Sequence, residues 1–474
     1  MGLEIVNRVR CTQAAWMVRV GRRRRSLVKD HSKQRLVVIG NGMAPGRALE
    51  RLFAAAPGAW DVTIFNAEPR VNYDRIMLSP LLSGEKTFEQ IVIHGDGWYV
   101  KNGVTLYKGA TVTAIDRATK TVTSARGITV PYDKLLIATG SLPIIIPVPG
   151  HTLAGVLTYR DLDDVQAMLI AAKSRGSAVV IGGGLLGLEA AAGLKEQGMD
   201  VTVLHLMPAL MERQLDPAAG LLLQKAVEAR GIRVITQANT QAILGEKKVE
   251  AVLLADGTRL PADLVVMAAG IKPNAALALD AGLDAGRGIK VSPGMQTSDP
   301  DIFAVGECAE VAGEVFGLEA PLYEMANVIA AQLTGDTAAV FRRSAVATKL
   351  KVTGIDLFSA GDFAEGNDRE SIVFRDAARG IYKRLILQDN RLIGCVLYGD
   401  TADGGHFFGT MQSGADISDI RDSLMFGADF APPLAPKPSV APAPGLRSRT
   451  ASQAAHSPRS VRKRPRRAAD AIAS

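Results

Sequence analysis

Two apolar runs, each ending in a cluster of glycines, set the pattern of this chain. Ala178-Val179-Val180-Ile181 leads into Gly182-Gly183-Gly184-Leu185-Leu186-Gly187, and Arg35-Leu36-Val37-Val38-Ile39 leads into Gly40-Asn41-Gly42-Met43-Ala44-Pro45-Gly46. A short apolar run without polar alternation predicts a strand covered on both faces, as in a parallel sheet. Small residues from Leu188 to Lys195 predict a helix packed closely on such a strand. Asp61 to Phe65 and Val201 to His205 read as the next strand of each half. Strands ending in Ala138-Thr139-Gly140 and Ala268-Ala269-Gly270 complete the two halves. The order is glycine loop, hairpin material, glycine-ended strand, and it occurs twice. The second copy therefore reads as a unit inserted into the first, which resumes at Thr297 to Glu307.

The glycine spacing carries chemistry. Gly182 allows a tight turn, Gly184 lets backbone approach a pyrophosphate, and Gly187 lets helix and strand pack closely. The phosphates would sit at a helix N-terminus, where unpaired N–H groups favour an anion. In the first cluster Gly40 and Gly42 keep their places, but Pro45 takes the third slot and Gly46 comes one residue late. Proline is tolerated in a first helical turn, so this loop is expected to survive with an altered helix start. Glu68, just past the 61–65 strand, lies where a carboxylate accepts hydrogen bonds from a ribose, or is a solvated loop residue. In the second unit the residue ending the strand is usually acidic for NAD and Arg-assisted for NADP. Here it is His205, with Arg213 eight residues on. Together they could accept a 2′-phosphate, or be a surface histidine and a helix-start arginine, so NADH and NADPH both stay open.

From about 335 to 430 the pattern alternates. Lys349-Leu350-Lys351-Val352, Tyr382 to Leu387, an Asp389-Asn390 turn and Leu392 to Tyr398 predict a small antiparallel sheet. The expected architecture is α/β, with two nested Rossmann-like dinucleotide-binding domains and a small C-terminal α+β domain. Its boundaries are a basic extension over 1–34, a first nucleotide domain over 35–150 and 291–334, a second over 151–290, a β-rich domain over 335–430, and a basic Pro/Ala/Arg tail over 431–474 with too little apolar content to fold.

The 474 residues, 47% hydrophobic and 22% charged, are enough for two or three cores. No apolar run reaches the roughly 20 residues of a membrane helix. The formal charge of +7 is carried by the ends: 1–34 hold +7 and 431–474 hold +8, so the body between is acidic at −8. That balance argues against nucleic acid as the main ligand; the remote alternative is a nucleotide-sensing binder that uses its basic arms. Arg22 to Arg25 precede no apolar h-region, so export is not expected. Cys11, Cys308 and Cys395 are too few and too scattered for a disulfide framework or a metal cluster, which suits a reducing cytoplasm.

These motifs, in this order, resemble the two-dinucleotide-binding-domain flavoprotein reductases related to glutathione reductase and to the ferredoxin and rubredoxin reductases. Within that group the chain resembles the FAD-containing N-terminal portion of the assimilatory NAD(P)H nitrite reductase large subunit. The likeness rests on Val38 to Met43, Glu68-Pro69-Arg70, Tyr73-Asp74-Arg75, Gly183 to Ala191, Leu210-Met211 with Gln214-Leu215-Asp216, and Gly306-Glu307-Cys308. It implies FAD on Gly40, Gly42, Glu68, Arg75, Thr139, Gly140 and Glu307, where the family has Asp. It implies NADH or NADPH on Gly182, Gly184, Gly187, His205, Arg213 and Gly270, and no metal. It further implies hydride transfer to the flavin and delivery of electrons to a partner bearing an iron–sulfur, sirohaem or molybdenum centre, in nitrate or nitrite assimilation. A homodimer through 335–430 is implied too.

The departures from the family narrow the chemistry. No cysteine lies between Cys11 and Cys308, so dithiol chemistry is not expected. Pro80 stands where ferredoxin-reducing relatives often have a flavin-side lysine, leaving Glu189 as the candidate catalytic charge beside the nicotinamide and flavin rings, unless it is an ordinary first-turn glutamate on its helix dipole. The cysteine clusters that continue the full nitrite reductase subunit do not follow residue 430, so the chain reads as a separate reductase with a partner or as a truncated or frame-shifted larger subunit whose remainder is replaced by the basic tail. The alternative enzyme readings are a rubredoxin or ferredoxin reductase and an NAD(P)H oxidase.

Overall fold

In the computed structural model of the protein, residues 33–343, 347–352 and 354–431 are described. The expected basic extension and tail, and Cys11, lie outside them apart from Lys33, Gln34 and Ala431 at their borders.

Both apolar runs are central strands of five-stranded, all-parallel sheets. The first sheet runs Ile302–Ala304, Lys134–Ile137, Gln34–Ile39, Trp60–Asn66, Thr105–Lys108. The second runs Val156–Thr158, Leu264–Met267, Ser177–Ile181, Asp200–Leu204, Arg233–Ile235. Each central strand is buried on both faces, as its unbroken apolar run requires. The edge strand of the first sheet comes late in the chain and that of the second comes early, so the second unit interrupts the first. Each unit also carries a three-stranded antiparallel sheet, over 112–131 and 240–261.

The two chain crossings between the units are zipped together. Ser141–Pro143 pairs antiparallel with Ile271–Pro273. Flanking this pair, Asn274 N–H donates to Gly140 O at 2.9 Å, Ile144 N–H to Gly270 O at 2.9 Å, and Thr139 Oγ1 to Asn274 O at 2.6 Å. A third sheet, antiparallel throughout, runs Ala347–Val352, Ile355–Gly361, Arg391–Tyr398, Ile381–Gln388, Glu370–Asp376. Its 381–398 hairpin turns on Asp389 and Asn390, both with φ near +50° (49° and 55°).

The third sheet has two apolar faces, because side chains alternate along a strand. Leu385, Leu387, Cys395 and Leu397 pack with Phe407 of the helix Gly404–Ser413. Leu357, Tyr382, Val396 and Tyr398 face the second unit and share a core with Leu215, Ala219 and Leu223. At that seam Asp216 caps the helix Pro217–Glu228 through Ala219 N–H. Its other oxygen accepts from Tyr382 Oη at 2.6 Å and Arg384 Nη1 at 3.2 Å. The Arg384 and Asp216 side chains are only 9% and 4% exposed.

The expectation of an altered helix start at Pro45 is not met. The helix Met43–Ala55 begins from Gly42 at φ −82°, ψ −171°, and the helix Leu185–Glu196 begins from Gly184 at φ −83°, ψ −178°. Pro45 falls in the first turn, where no intrahelical N–H bond is required, and Gly46 makes the first one, to Gly42 O. The late glycine has its own use: a Cβ at Gly46 would lie 3.3 Å from Asn72 Nδ2 and His94 Cε1.

Candidate functional site

The glycine loops leave the carboxyl ends of the two parallel sheets. Gly40 has φ +108° and Gly182 φ +135°, conformations that L side chains rarely adopt, and a Cβ at either would overlap the carbonyl oxygen of Ala138 or Ala268. Gly42 and Gly184 open onto free space, with nothing within 4 Å of a built Cβ. Each therefore leaves backbone room at a helix start whose first-turn amides are unpaired, the geometry that accepts a diphosphate.

The first loop is braced from beneath by a residue that sequence reasoning missed. Asn72, fully buried, donates from Nδ2 to Asn41 O at 2.8 Å and Gly42 O at 2.7 Å. Its backbone N–H donates to Tyr99 Oη at 3.2 Å, and Asn41 Nδ2 donates to the same oxygen at 3.0 Å. Both carbonyls behind the loop are thus satisfied, which leaves the amides to point the other way.

Glu68, Arg75 and Glu307 are brought together, through a residue not foreseen. Glu68 accepts from Tyr73 Oη at 2.8 Å and pairs with Arg75, whose Nη1 donates to Arg160 O at 3.0 Å. Arg160 in turn pairs with Glu307 Oε2, which also accepts from Ser141 Oγ at 2.8 Å. All the bonds to Glu307 fall on Oε2, so among the described residues Oε1 has no protein partner. Thr139 spends its hydroxyl on the crossing, and Gly140, at φ +65°, lies against the Arg160–Glu307 pair. Arg160 follows the second sheet's edge strand, whereas Glu307 follows the first sheet's. Their pairing brings the carboxyl ends of the two sheets face to face.

Glu189 lies at this same junction. It projects from the second loop helix against the segment Leu78–Ser83 of the first unit and accepts from Ser79 Oγ at 2.6 Å. Ser79 Oγ and Tyr159 Oη are 2.9 Å apart. Burial pushes the Glu189 carboxyl above the ordinary range, only partly offset by the Ser79 bond. Pro80 follows Ser79 in this segment, and the Ser79 and Tyr159 hydroxyls are the polar groups beside the acid.

The second loop is braced by His205, and here both alternatives for that residue are corrected. His205 is neither at the surface nor free for a phosphate: it is 8% exposed, accepts from Gly183 N–H at Nδ1 at 3.1 Å, and meets Glu212 Oε2 through Nε2 at 3.0 Å. Arg213 is exposed, lies in the turn before the Asp216 cap rather than at a helix start, and has no hydrogen bond or ion pair to His205 among the described residues. Gly187 packs so closely that a Cβ would overlap Gly182 O, and Gly270 sits in the crossing with φ +115°. Both cysteines within the described residues are buried: Cys308 donates to Val305 O at 3.3 Å, and burial pushes the Cys395 thiol up to about 12.

Comparison with known proteins bears on this arrangement. Residues 34–335 match the profile of the pyridine nucleotide-disulphide oxidoreductases, and 347–415 match that of the rubredoxin NAD+ reductase C-terminal domain. The chain is 46% identical over 387 residues to nitrite reductase [NAD(P)H] of Bacillus subtilis (strain 168), covering 82% of this chain and 48% of that one. It is 43% identical over 393 residues to the assimilatory nitrate reductase electron transfer subunit of the same organism, covering 83% and 51%. The chain thus spans about half the length of these relatives. Among solved structures, NADH:rubredoxin oxidoreductase from Clostridium acetobutylicum superimposes with a TM-score of 0.70 at 27% identity, covering 83% of this chain and 100% of that one.

Proposed function

The chain belongs to the pyridine nucleotide-disulphide oxidoreductase family, and from that membership we propose that it is an FAD-dependent NAD(P)H reductase that feeds a separate nitrite- or nitrate-reducing centre. The observation that carries this reading is the Arg160–Glu307 pair. It joins the carboxyl ends of two parallel sheets, the places where open α/β sheets bind their ligands, so that two dinucleotides would meet at one junction.

FAD bound to the first unit would supply the redox chemistry, taking a hydride from the nicotinamide and releasing electrons singly. The chain's own share is positioning. Gly40, Gly42 and the Asn72 brace would hold the diphosphate, Glu68 the adenosine ribose, and Glu307 Oε1 a hydroxyl of the flavin's chain. Arg75 and Arg160 keep the two carboxylates oriented. Gly182, Gly184 and Gly187 would hold the nicotinamide dinucleotide. Glu189 keeps its proton over a wider pH range than an exposed glutamate and would set the polarity beside the rings. With no cysteine between Cys11 and Cys308, and with Cys308 and Cys395 buried, electrons would pass directly to an acceptor protein bearing an iron–sulfur, sirohaem or molybdenum centre.

The test is anaerobic stopped-flow bleaching of the bound flavin by NADH and NADPH, followed by addition of candidate acceptors. Rapid bleaching, with nitrite or nitrate consumed only after the partner reductase is added, supports the proposal; an FAD-loaded sample that neither nucleotide bleaches refutes it. The match of 347–415 to a rubredoxin reductase domain favours rubredoxin as the second reading, and preferential reoxidation by rubredoxin would establish it. The edge strand Glu370–Asp376, with Val373 54% and Phe374 40% exposed, supports self-association through the third sheet. No described helix is long and apolar enough to cross a membrane.

A further inference from the structure

We propose that Glu212, held in place by His205, selects the nicotinamide dinucleotide by accepting a hydrogen bond from the adenosine ribose 2′-hydroxyl, making NADH the preferred donor. The inference rests on the reading of the second unit as the NAD(P)H unit. In such units the discriminating residue stands at the end of the second strand, near the glycine loop, and is acidic when the 2′-hydroxyl is unmodified. Here the strand Asp200–Leu204 ends on a histidine, and a carboxylate is delivered to the same place from farther along the chain.

Three observations fix that delivery. Leu210 and Met211 are buried, and Met211 N–H donates to Gly183 O at 3.0 Å, which anchors this segment on the glycine loop. Met211 has φ 55°, a left-handed turn that sharply changes the direction of the chain just before Glu212. The His205 ring then bridges the loop and the acid. Because Nδ1 accepts from Gly183 N–H, the ring hydrogen must be on Nε2, which donates to Glu212 Oε2. One imidazole thus holds the fingerprint loop with one nitrogen and orients a carboxylate with the other.

Glu212 suits the role by exposure and charge. Its side chain is 37% exposed against 9% for His205, and its Oε1 has no protein partner among the described residues. A ribose 2′-hydroxyl can donate to that oxygen. A 2′-phosphate has no proton to offer there and would set like charges side by side, so the acid excludes NADPH as well as welcoming NADH. Arg213 could favour a phosphate, but no contact among the described residues fixes its side chain, whereas Glu212 is tethered.

Isothermal titration of the FAD-loaded full chain with ADP and with 2′,5′-ADP tests this without turnover, since neither fragment carries a nicotinamide. The expected result is ADP binding at least about tenfold tighter than 2′,5′-ADP, with that ratio falling about fivefold or more in Glu212→Gln. His205→Leu should lower the ratio too, because it removes both the acceptor for Gly183 N–H and the donor to Glu212. A wild type that prefers 2′,5′-ADP, with the preference abolished by Arg213→Gln, assigns selection to Arg213 and overturns the proposal. An unchanged ratio in Glu212→Gln also overturns it. Absence of binding by both fragments while FAD stays bound overturns instead the reading of the second unit as a nicotinamide dinucleotide site.

Discussion

Replacing Asn72 with alanine should weaken FAD binding far more than it weakens the fold. The side chain is fully buried, and its two donors satisfy the carbonyls of Asn41 and Gly42 at 2.8 and 2.7 Å. A buried acceptor stripped of its donor costs about 1–3 kcal/mol. Asn41 O is left without a donor whereas Gly42 O keeps the Gly46 N–H, so one stripped acceptor and one lost hydrogen bond set an expectation of about 2–3 kcal/mol. Part of that cost can be relieved by rotating the two peptide planes, and rotation would turn the loop amides away from the diphosphate. Spent in this way, 2–3 kcal/mol corresponds to FAD binding about 30- to 150-fold weaker. The assay is titration of the apoprotein with FAD by quenching of flavin fluorescence, paired with urea unfolding of the apoprotein. Ser124→Ala is the control, because Ser124 is 2% exposed and accepts from Ile128 N–H in the three-stranded sheet of the same unit, away from the loop. The control should lose stability and keep its FAD affinity. An Asn72→Ala protein that binds FAD within about twofold of the parent while losing the full 2–3 kcal/mol of stability would refute the reasoning, since Asn72 would then be a packing residue alone.

Three further expectations follow from other parts of the molecule. Gly182→Ala must strain a φ of +135° and overlap Ala268 O, so NADH affinity should fall at least about tenfold while FAD stays bound, as read by anaerobic titration. Arg384→Met leaves Asp216 buried at the seam with only Tyr382 and its helix cap; urea unfolding should show a loss of about 3 kcal/mol, and a loss under about 1 kcal/mol would remove the seam from the account. Glu189→Gln tests the buried acid by pH. Because burial raises the folded pKa of Glu189 above its unfolded value, its contribution is fully present below the unfolded value and is lost as pH rises through the folded one. The variant should therefore match the parent in Tm near about pH 4 and exceed it near about pH 9, and a Tm difference that is flat in pH would contradict the raised pKa.

What was legible in the sequence and what was not divides along a physical line. The central strands, the glycine loops and the hairpin at Asp389-Asn390 were legible because each is dictated by a few consecutive residues: burial on both faces writes an unbroken apolar run, and a left-handed turn selects glycine, asparagine or aspartate. The supports of the loops were not, because each is a contact between residues far apart in the chain. Asn72 reaches back about 30 residues to Gly42, and Arg160 meets Glu307 across 147. Pro45 illustrates the same limit inside one motif. As a departure from a spacing rule it predicted an altered helix start, yet the tight approach in this helix is made by Asn72 and His94, and it falls on Gly46. Glu212 lay unnoticed between Met211 and Arg213 for a related reason. Its value comes from a positive φ at a methionine, a residue type that gives no warning of one, and from a histidine ring whose lone pair is committed to Gly183. A local pattern thus reports where backbone is open to a phosphate, while the proposed choice between ribose hydroxyl and ribose phosphate rests on side chains that only the folded chain brings to the loop. Nucleotide preference could not be read from the end of the Asp200–Leu204 strand alone, because there the residue that usually decides has become the tether for the one that does.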